Sequence, residues 1–253
     1  MYKTNPKLNY RSFFNWSGGK DCSLALFYAL QNSKFSIERL VTNLDMQFRR
    51  VSMHGVREEM IELQAASIGI PLQKLFLSEQ PSMLDYEKAT THLLEVLQQD
   101  GFSHAFYGDI FLEDLRIYRE KQLAKASILA EFPLWQKNTL QLINTFIDLG
   151  FKAVVVCVNA DLLDQSFAGR IIDKQFFKDL PSGVDPCGEN GEFHTFVFDG
   201  PIFKQSISYS IGEKVYKEYV APKESKDECF RTQQVSSNMG FWFCDLVPNS
   251  DII

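Results

Sequence analysis

The stretch Arg11-Ser-Phe-Phe-Asn-Trp16-Ser17-Gly18-Gly19-Lys20-Asp21-Cys22-Ser23-Leu24-Ala-Leu-Phe27 decides how the chain is read. Its first part, residues 13–16, is an aromatic and apolar run of the kind that makes a buried strand. Its last part sets Leu24, Leu26, Phe27 and Leu30 on the apolar face of a helix. Between them two glycines, lacking Cβ, let the backbone turn sharply and approach a ligand closely. A turn that opens a helix gathers free amide N–H groups at the positive end of the helix dipole, which makes a seat for phosphate. Lys20 adds a cation and Ser17 a hydroxyl donor, while Asp21 is a carboxylate able to hold a magnesium ion that bridges phosphate oxygens. The spacing is not that of the Walker A loop, which needs a glycine, four residues and then Gly-Lys-Ser/Thr.

Working outward, the spacing predicts a strand over 37–44, a loop over 45–54 and an amphipathic helix over 56–68 that Gly69 ends. A third strand is expected over 71–77, then a helix capped by Ser82 that runs to about Gln99. A fourth strand follows over 104–110, and a further helix to about Leu129. Strands separated by helices of this length mean right-handed βαβ units and a parallel sheet, with ligands beyond the carboxyl ends of the strands. Residues 17–21, 43–54 and 108–114 all fall at such ends. Arg49, Arg50 and His54 are candidates there for phosphate or substrate contacts, or are solvated loop side chains. In Gly108-Asp109-Ile-Phe-Leu-Glu113-Asp114 the glycine permits close approach, and the acids can hold a metal or accept protons. Glu113 and Asp114 equally suit the start of a helix.

The pattern breaks near residues 131–135, so one domain is expected over 1–132 and a second over 133–253. The second contains a helix over 138–149 and a nearly continuous apolar run over 151–159, a buried strand. Next comes the polar loop Pro181-Ser-Gly-Val-Asp185-Pro-Cys187-Gly-Glu189-Asn190-Gly-Glu192-Phe-His194-Thr195, in which glycines and prolines bring acids and a histidine together. A strand over 193–198, paired strands over 205–211 and 213–220, and a late strand over 238–247 complete the reading. Residues 222–237 suggest no function.

Composition narrows the classes. At 253 residues with 45% hydrophobic content the chain holds ample core material. The start, Met1-Tyr-Lys-Thr-Asn-Pro-Lys, lacks an apolar signal core and no run reaches membrane-spanning length, so a cytoplasmic protein without membrane contact is expected. Five scattered cysteines without a Cys-x-x-Cys pair fit reduced thiols. A net charge of −6 speaks against a nucleic acid partner.

The loop at 17–21 resembles the Ser-Gly-Gly-Lys-Asp-Ser loop of the PP-loop, or N-type, ATP pyrophosphatases, which split ATP between its α and β phosphates. Cys22 stands where serine is usual; thiol is the weaker donor, and Ser23 is the candidate replacement. Together with Gly108-Asp109-Ile and the segment Asp185-Pro-Cys-Gly-Glu-Asn-Gly-Glu-Phe-His-Thr195, the chain resembles the diphthine–ammonia ligase family of this group, bacterial members of unassigned substrate included. The resemblance implies an α/β fold: a Rossmann-like PP-loop domain with a parallel sheet, similar to the adenine nucleotide α-hydrolases, then a smaller α+β substrate domain. It implies ATP and magnesium as cofactors, and a carboxylate activated as an acyl-adenylate from which ammonia displaces AMP. The partners are then ammonium and a carboxylate-bearing acceptor, a small molecule or a modified protein side chain, and the chain can form a homo-oligomer. Ser17, Gly18, Gly19, Lys20, Asp21, Cys22, Ser23, Asn43 and Gly108 are the implied nucleotide contacts, with Asn43 beside the adenine and Asp21 on the metal. Lys20 offsets charge on the leaving pyrophosphate, and Asp109, Glu192 or His194 serves as the base. Glu113, Asp185, Glu189, Asn190 and Glu192 are expected at the acceptor. The loop they occupy is expected across the cleft from the phosphate loop, its acids suiting a cationic acceptor or ammonium. Same-fold alternatives are another small-molecule substrate or tRNA thiolation; from a different class, a non-catalytic ATP sensor.

Overall fold

The computed structural model describes residues 9–78, 82–220 and 238–249, and residues 222–237 lie outside them. The first half alternates strand and helix: β1 Tyr10–Asn15, α1 Lys20–Gln31, β2 Phe35–Asp45, α2 Glu58–Ile68, β3 Leu72–Leu77, α3 Met83–Gln99, β4 His104–Phe106, α4 Glu113–Lys125 and β5 Leu129–Glu131. All strand pairs are parallel, in the order β3-β2-β1-β4-β5. The chain moves outward from β1 in one direction and, after β3, returns to β4 on its other side. The crevice between the ends of β1 and β4 is therefore the switch point where such sheets bind ligands.

The second half contains α5 Thr139–Asp148, β6 Lys152–Asn159, α6 Lys174–Asp179, β7 Phe193–Asp199, β8 Tyr209–Val220 and β9 Asn238–Pro248. Its sheet is antiparallel, in the order β7-β6-β9-β8. Local signals set the ends of several elements. Ser82 accepts from the Asp85 amide at 3.1 Å, Asn138 accepts from the Gln141 amide at 3.0 Å, and Gly69 closes α2 in the left-handed region at φ +83°.

Consecutive residues of β1 face opposite sides of the sheet, so Phe13 and Phe14 belong to different cores. Phe14 joins Leu24 and Leu26 of α1, Ile61 of α2, Val154 and Val156 of β6 and Phe196 of β7 in one large apolar cluster. That cluster crosses the expected division at 132/133, so the two halves share a core. Each fully buried phenylalanine in it stabilises the fold by about 1.5–3 kcal/mol. Phe13 instead packs with Val41, Leu94, Leu97, Tyr107 and Leu123 beneath α3 and α4. Among the described residues no helix is long and apolar enough to cross a membrane.

Some boundaries differ from expectation for identifiable reasons. The helix expected to reach Leu129 ends at Lys125, because Ser127 adopts φ +55° and turns the chain into β5, whose three residues are too short to show a period. The expected strand over 104–110 is paired only from His104 to Phe106. The two strands expected over 205–220 do not pair with each other. Residues 209–220 form one strand, β8, along β9, with a register shift between Ile211 and Lys214 where Gly212 makes a bulge instead of a turn, and 205–208 stay outside it.

Candidate active site

The phosphate loop leaves β1 at Asn15 and is bolted in place before α1 begins. Trp16 donates its indole N–H to Gln64 Oε1 at 2.9 Å, and Gln64 Nε2 donates to the carbonyls of Gly18 at 3.0 Å and Val197 at 2.6 Å. The Val197 amide also donates to the Gly18 carbonyl at 2.9 Å. Gly18 sits at φ +79°, and a Cβ there would come within 2.5 Å of Gln64 Oε1 and 2.7 Å of Ile61 Cδ1. The glycine is thus required by its neighbours in the fold as well as by any phosphate. Gln64 was not legible as a site residue, yet it falls four residues after Met60 and four before Ile68, a polar side chain on an apolar helical stripe.

Gly19 caps α1 and has no side chain to occupy the helix amides. Gly108, after β4, keeps that helix start clear: a Cβ on it would lie 2.8 Å from the Cys22 amide nitrogen. The side chains here divide. Ser17 Oγ lies 3.4 Å from the Gly19 amide and 3.2 Å from Cys22 Sγ. Cys22 also donates to the Asn15 carbonyl at 3.6 Å, and burial pushes its thiol up to about 11. Ser23 was expected to replace it at the phosphate, but it is fully buried and donates to the Gly19 carbonyl at 3.0 Å. That hydroxyl closes the first turn of the helix instead.

Lys20 is only 3% exposed. Its ammonium meets Asp21 Oδ2 at 2.7 Å, donates to the Cys187 carbonyl, and lies 5.2 Å from the centre of the Phe193 ring. Burial works against this charge, but Asp21, Cys187 and Glu189 outweigh it and the pKa ends above the ordinary lysine value. Burial likewise raises the Asp21 carboxyl, against the pull of Lys20.

The loop over 185–195 was expected across the cleft; it packs directly on the phosphate loop. Thr195 Oγ1 accepts from the Lys20 amide at 3.0 Å, and the Thr195 carbonyl lies 3.4 Å from His54 Nδ1. His54 and His194 stack with ring centres 4.5 Å apart. Burial, followed for His54 by the nearby Lys20 charge, holds His54 down to about 4. Burial, His54 and Lys20 hold His194 well below the ordinary histidine value. Both rings are neutral at neutral pH.

The acids of this loop turn inward. Glu192, 2% exposed, accepts from the Asp185 amide at 3.0 Å, the Asn190 amide at 2.9 Å and the Asn190 side chain at 3.0 Å. Asp185 Oδ2 accepts from the amides of Cys187 at 2.9 Å and Glu189 at 3.2 Å. Glu192, Asp185 and Asn190, expected in catalytic and acceptor-binding roles, thus brace the loop through hydrogen bonds within it. Glu189 reaches out to the Ile110 amide at 2.7 Å, and burial, with Asp21 next, pushes its carboxyl up to about 8.

Asp109 is paired with Arg119 at 2.7 Å, and Glu113 stands exposed in the first turn of α4. Asn43 lines a cleft of about 1200 Å³ that opens between the end of the parallel sheet, α3, α4 and the β8–β9 ribbon. The ribbon is tied to the first half by Asp245, which accepts from Arg50 at 2.7 Å and from Arg57 at 2.6 Å. Arg50 is thus used structurally, and Arg49 pairs with Glu58 at 2.5 Å.

Two family models match the chain. Residues 10–127 match the diphthamide synthase N-terminal domain and residues 138–226 the diphthamide synthase C-terminal domain. A zebrafish (Danio rerio) diphthine–ammonia ligase is 26% identical over 178 residues, 63% of this chain and 69% of that protein. The fission yeast Schizosaccharomyces pombe ligase is 30% identical over 47% of this chain, and the human one 34% identical over 32%. The aligned parts make up 20% of the yeast protein and 33% of the human one. With both halves matched in order, the chain belongs to the diphthamide synthase family.

Proposed function

We propose that this chain is an ATP-dependent, amide-forming ligase. A carboxylate attacks the α-phosphorus of ATP, pyrophosphate leaves, and the lone pair of ammonia then attacks the acyl-adenylate carbon. The bond to AMP breaks, and the new amide nitrogen sheds a proton. What carries this reading is the joint between the two loops: Thr195 on the Lys20 amide, and the Cys187 carbonyl on the Lys20 ammonium. The segment that distinguishes the family thereby touches the loop we assign to the phosphates. Similar proteins from zebrafish, fission yeast and human bear the name diphthine–ammonia ligase.

The residues then have separate duties. The start of α1 receives the phosphates, and buried Lys20 stabilises the charge that develops on pyrophosphate. Of the expected bases, Asp109 and Glu192 are engaged elsewhere. His194 is neutral and stands beside the phosphate loop, but the burial and the Lys20 charge that keep it neutral also make it a weak base, so the proton on the newly bonded nitrogen passes to water or to a second ammonia. Among the described residues no group of three or more potential metal ligands gathers. Magnesium carried on phosphates needs only one or two carboxylates, and Asp21, paired with Lys20 at 2.7 Å, is the residue that we assign to it. The described cysteines are free thiols, in keeping with a reducing cytoplasmic setting.

Incubation with magnesium, ATP, ammonium and a carboxylic acid, followed by phosphorus NMR, tests the reading. AMP and pyrophosphate are expected; ADP and phosphate would refute it. Tight ATP binding with no turnover for any acid would favour a nucleotide sensor.

A further inference from the structure

Two histidines from different halves of the chain meet over the start of α1. His54 belongs to the loop after β2, and His194 to the start of β7. Their ring centres lie 4.5 Å apart at a tilt of 32°. A Cβ on Gly19 would meet His54 Cε1 at 3.1 Å, the Thr195 carbonyl at 3.3 Å and Ser17 Oγ at 3.4 Å. The pair thus overhangs the glycine that opens the helix.

Both rings are held by their chain neighbours. Gly55, next to His54, accepts from Arg50 at 2.7 Å through its carbonyl, and Arg50 and Arg57 share Asp245 of β9. Thr195, next to His194, accepts from the Lys20 amide. The rings are therefore in place before any ligand arrives, which keeps the ordering cost of binding low. Their nitrogens are less occupied. His54 Nδ1 has a long contact of 3.4 Å with the Thr195 carbonyl, and His194 makes no hydrogen bond among the described residues. Both side chains stay partly exposed, so a ligand can reach them.

The charge acting on the rings is one-sided. Lys20 of α1 is the charged group that acts on both, while Asp21 and Glu189 act on Lys20 itself. An anion seated on the amides of α1 reverses that field, and an opposite charge within about 4–6 Å raises proton affinity by roughly one to three pKa units. Two charged rings this close would repel each other, so one proton is taken up and not two.

We propose that the His54–His194 pair grips the terminal phosphate of ATP, and afterwards free pyrophosphate, with one ring charged by a proton from water. This rests on the ligase reading, since it supplies a holder for the leaving group.

Calorimetry with metal-free pyrophosphate and with AMP at pH 6, 7 and 8, beside an ATP control, tests it. His194→Phe keeps a ring on His54 but carries no nitrogen. His54→Asn keeps a polar atom for the Thr195 carbonyl and serves if the first variant misfolds. Each should weaken pyrophosphate about ten- to a hundredfold at pH 6, the worth of a charge-assisted hydrogen bond, and change AMP affinity less than threefold. The wild-type advantage should grow as pH falls from 8 to 6, because the bound anion raises the proton affinity of the pair. Unchanged pyrophosphate affinity, equal losses of pyrophosphate and AMP, or the same advantage at pH 6 and 8 would overturn the assignment. A wild type that binds ATP but not pyrophosphate would remove the pair's role alone; one that binds neither would refute the ligase reading too.

Discussion

The two glycine-rich loops meet in one site but are built in opposite ways. The loop over 17–21 is fixed from outside, by Gln64, Val197 and Thr195, the last of which takes the Lys20 amide at the start of α1 that Gly19 leaves without a side-chain cap. The loop over 185–195 is fixed largely from inside, its acids accepting from its own amides. Polar side chains are abundant in the second and few in the first, yet in both most are already engaged: Lys20 by Asp21 and the Cys187 carbonyl, Glu192 and Asp185 by amides. Density of functional groups in a sequence is therefore a poor guide to their availability, because a loop without secondary structure must satisfy its own backbone.

The largest expected effect breaks the first loop. Gly18→Val would drive a branched side chain into Gln64 and Ile61 from a left-handed backbone, costing on the order of 4 kcal/mol or more. Calorimetry should find no ATP binding; unchanged affinity would mean that the clamp yields freely. The matching change in the second loop is mild. Gly191→Ala also meets φ +85° but has nothing within 4 Å, so about 1 kcal/mol is expected by urea unfolding.

Glu192→Gln sharpens the contrast. An amide presents a donor where the carboxylate accepts from the Asp185 and Asn190 amides, so a loss of about 2–4 kcal/mol is expected, with ATP affinity of the folded protein within threefold. Unchanged stability with lost turnover would return Glu192 to catalysis. Lys20→Met should follow, lowering AMP formation about ten- to a hundredfold, the worth of one charge-assisted hydrogen bond. A smaller change would show that buried Lys20 does not reach the developing charge.

The smallest effect is a dependence on pH, in which Glu189 of the second loop and His54, which stacks on that loop's His194, act with opposite signs. Glu189 has its pKa raised from 4.5 to about 8, so its contribution is full below pH 4.5 and fades as pH rises toward 8. His54 has its pKa lowered from 6.5 to about 4, so its contribution is full above pH 6.5 and fades as pH falls toward 4. Urea midpoints of wild type should therefore fall relative to Glu189→Gln between pH 5 and 8. A constant difference across that range would rule out the raised carboxyl.

By itself the sequence determined the phosphate loop, the alternation of strands and helices, and the kinship with one family. These features are local: a glycine turn between an apolar run and an amphipathic helix, or a Ser82 or Asn138 cap, depends on residues close in the chain. Only the tertiary structure decided which polar residues are free. Glu192 and His194 are two apart in sequence, yet one is enclosed by amides and the other stacks beside the phosphate loop on His54, 140 positions away (194 − 54). Asp109 reads as a base until Arg119, one helix later, takes its charge. Burial and pairing depend on what the rest of the chain brings near, and the free energy of a polar group follows from those neighbours more than from its own identity.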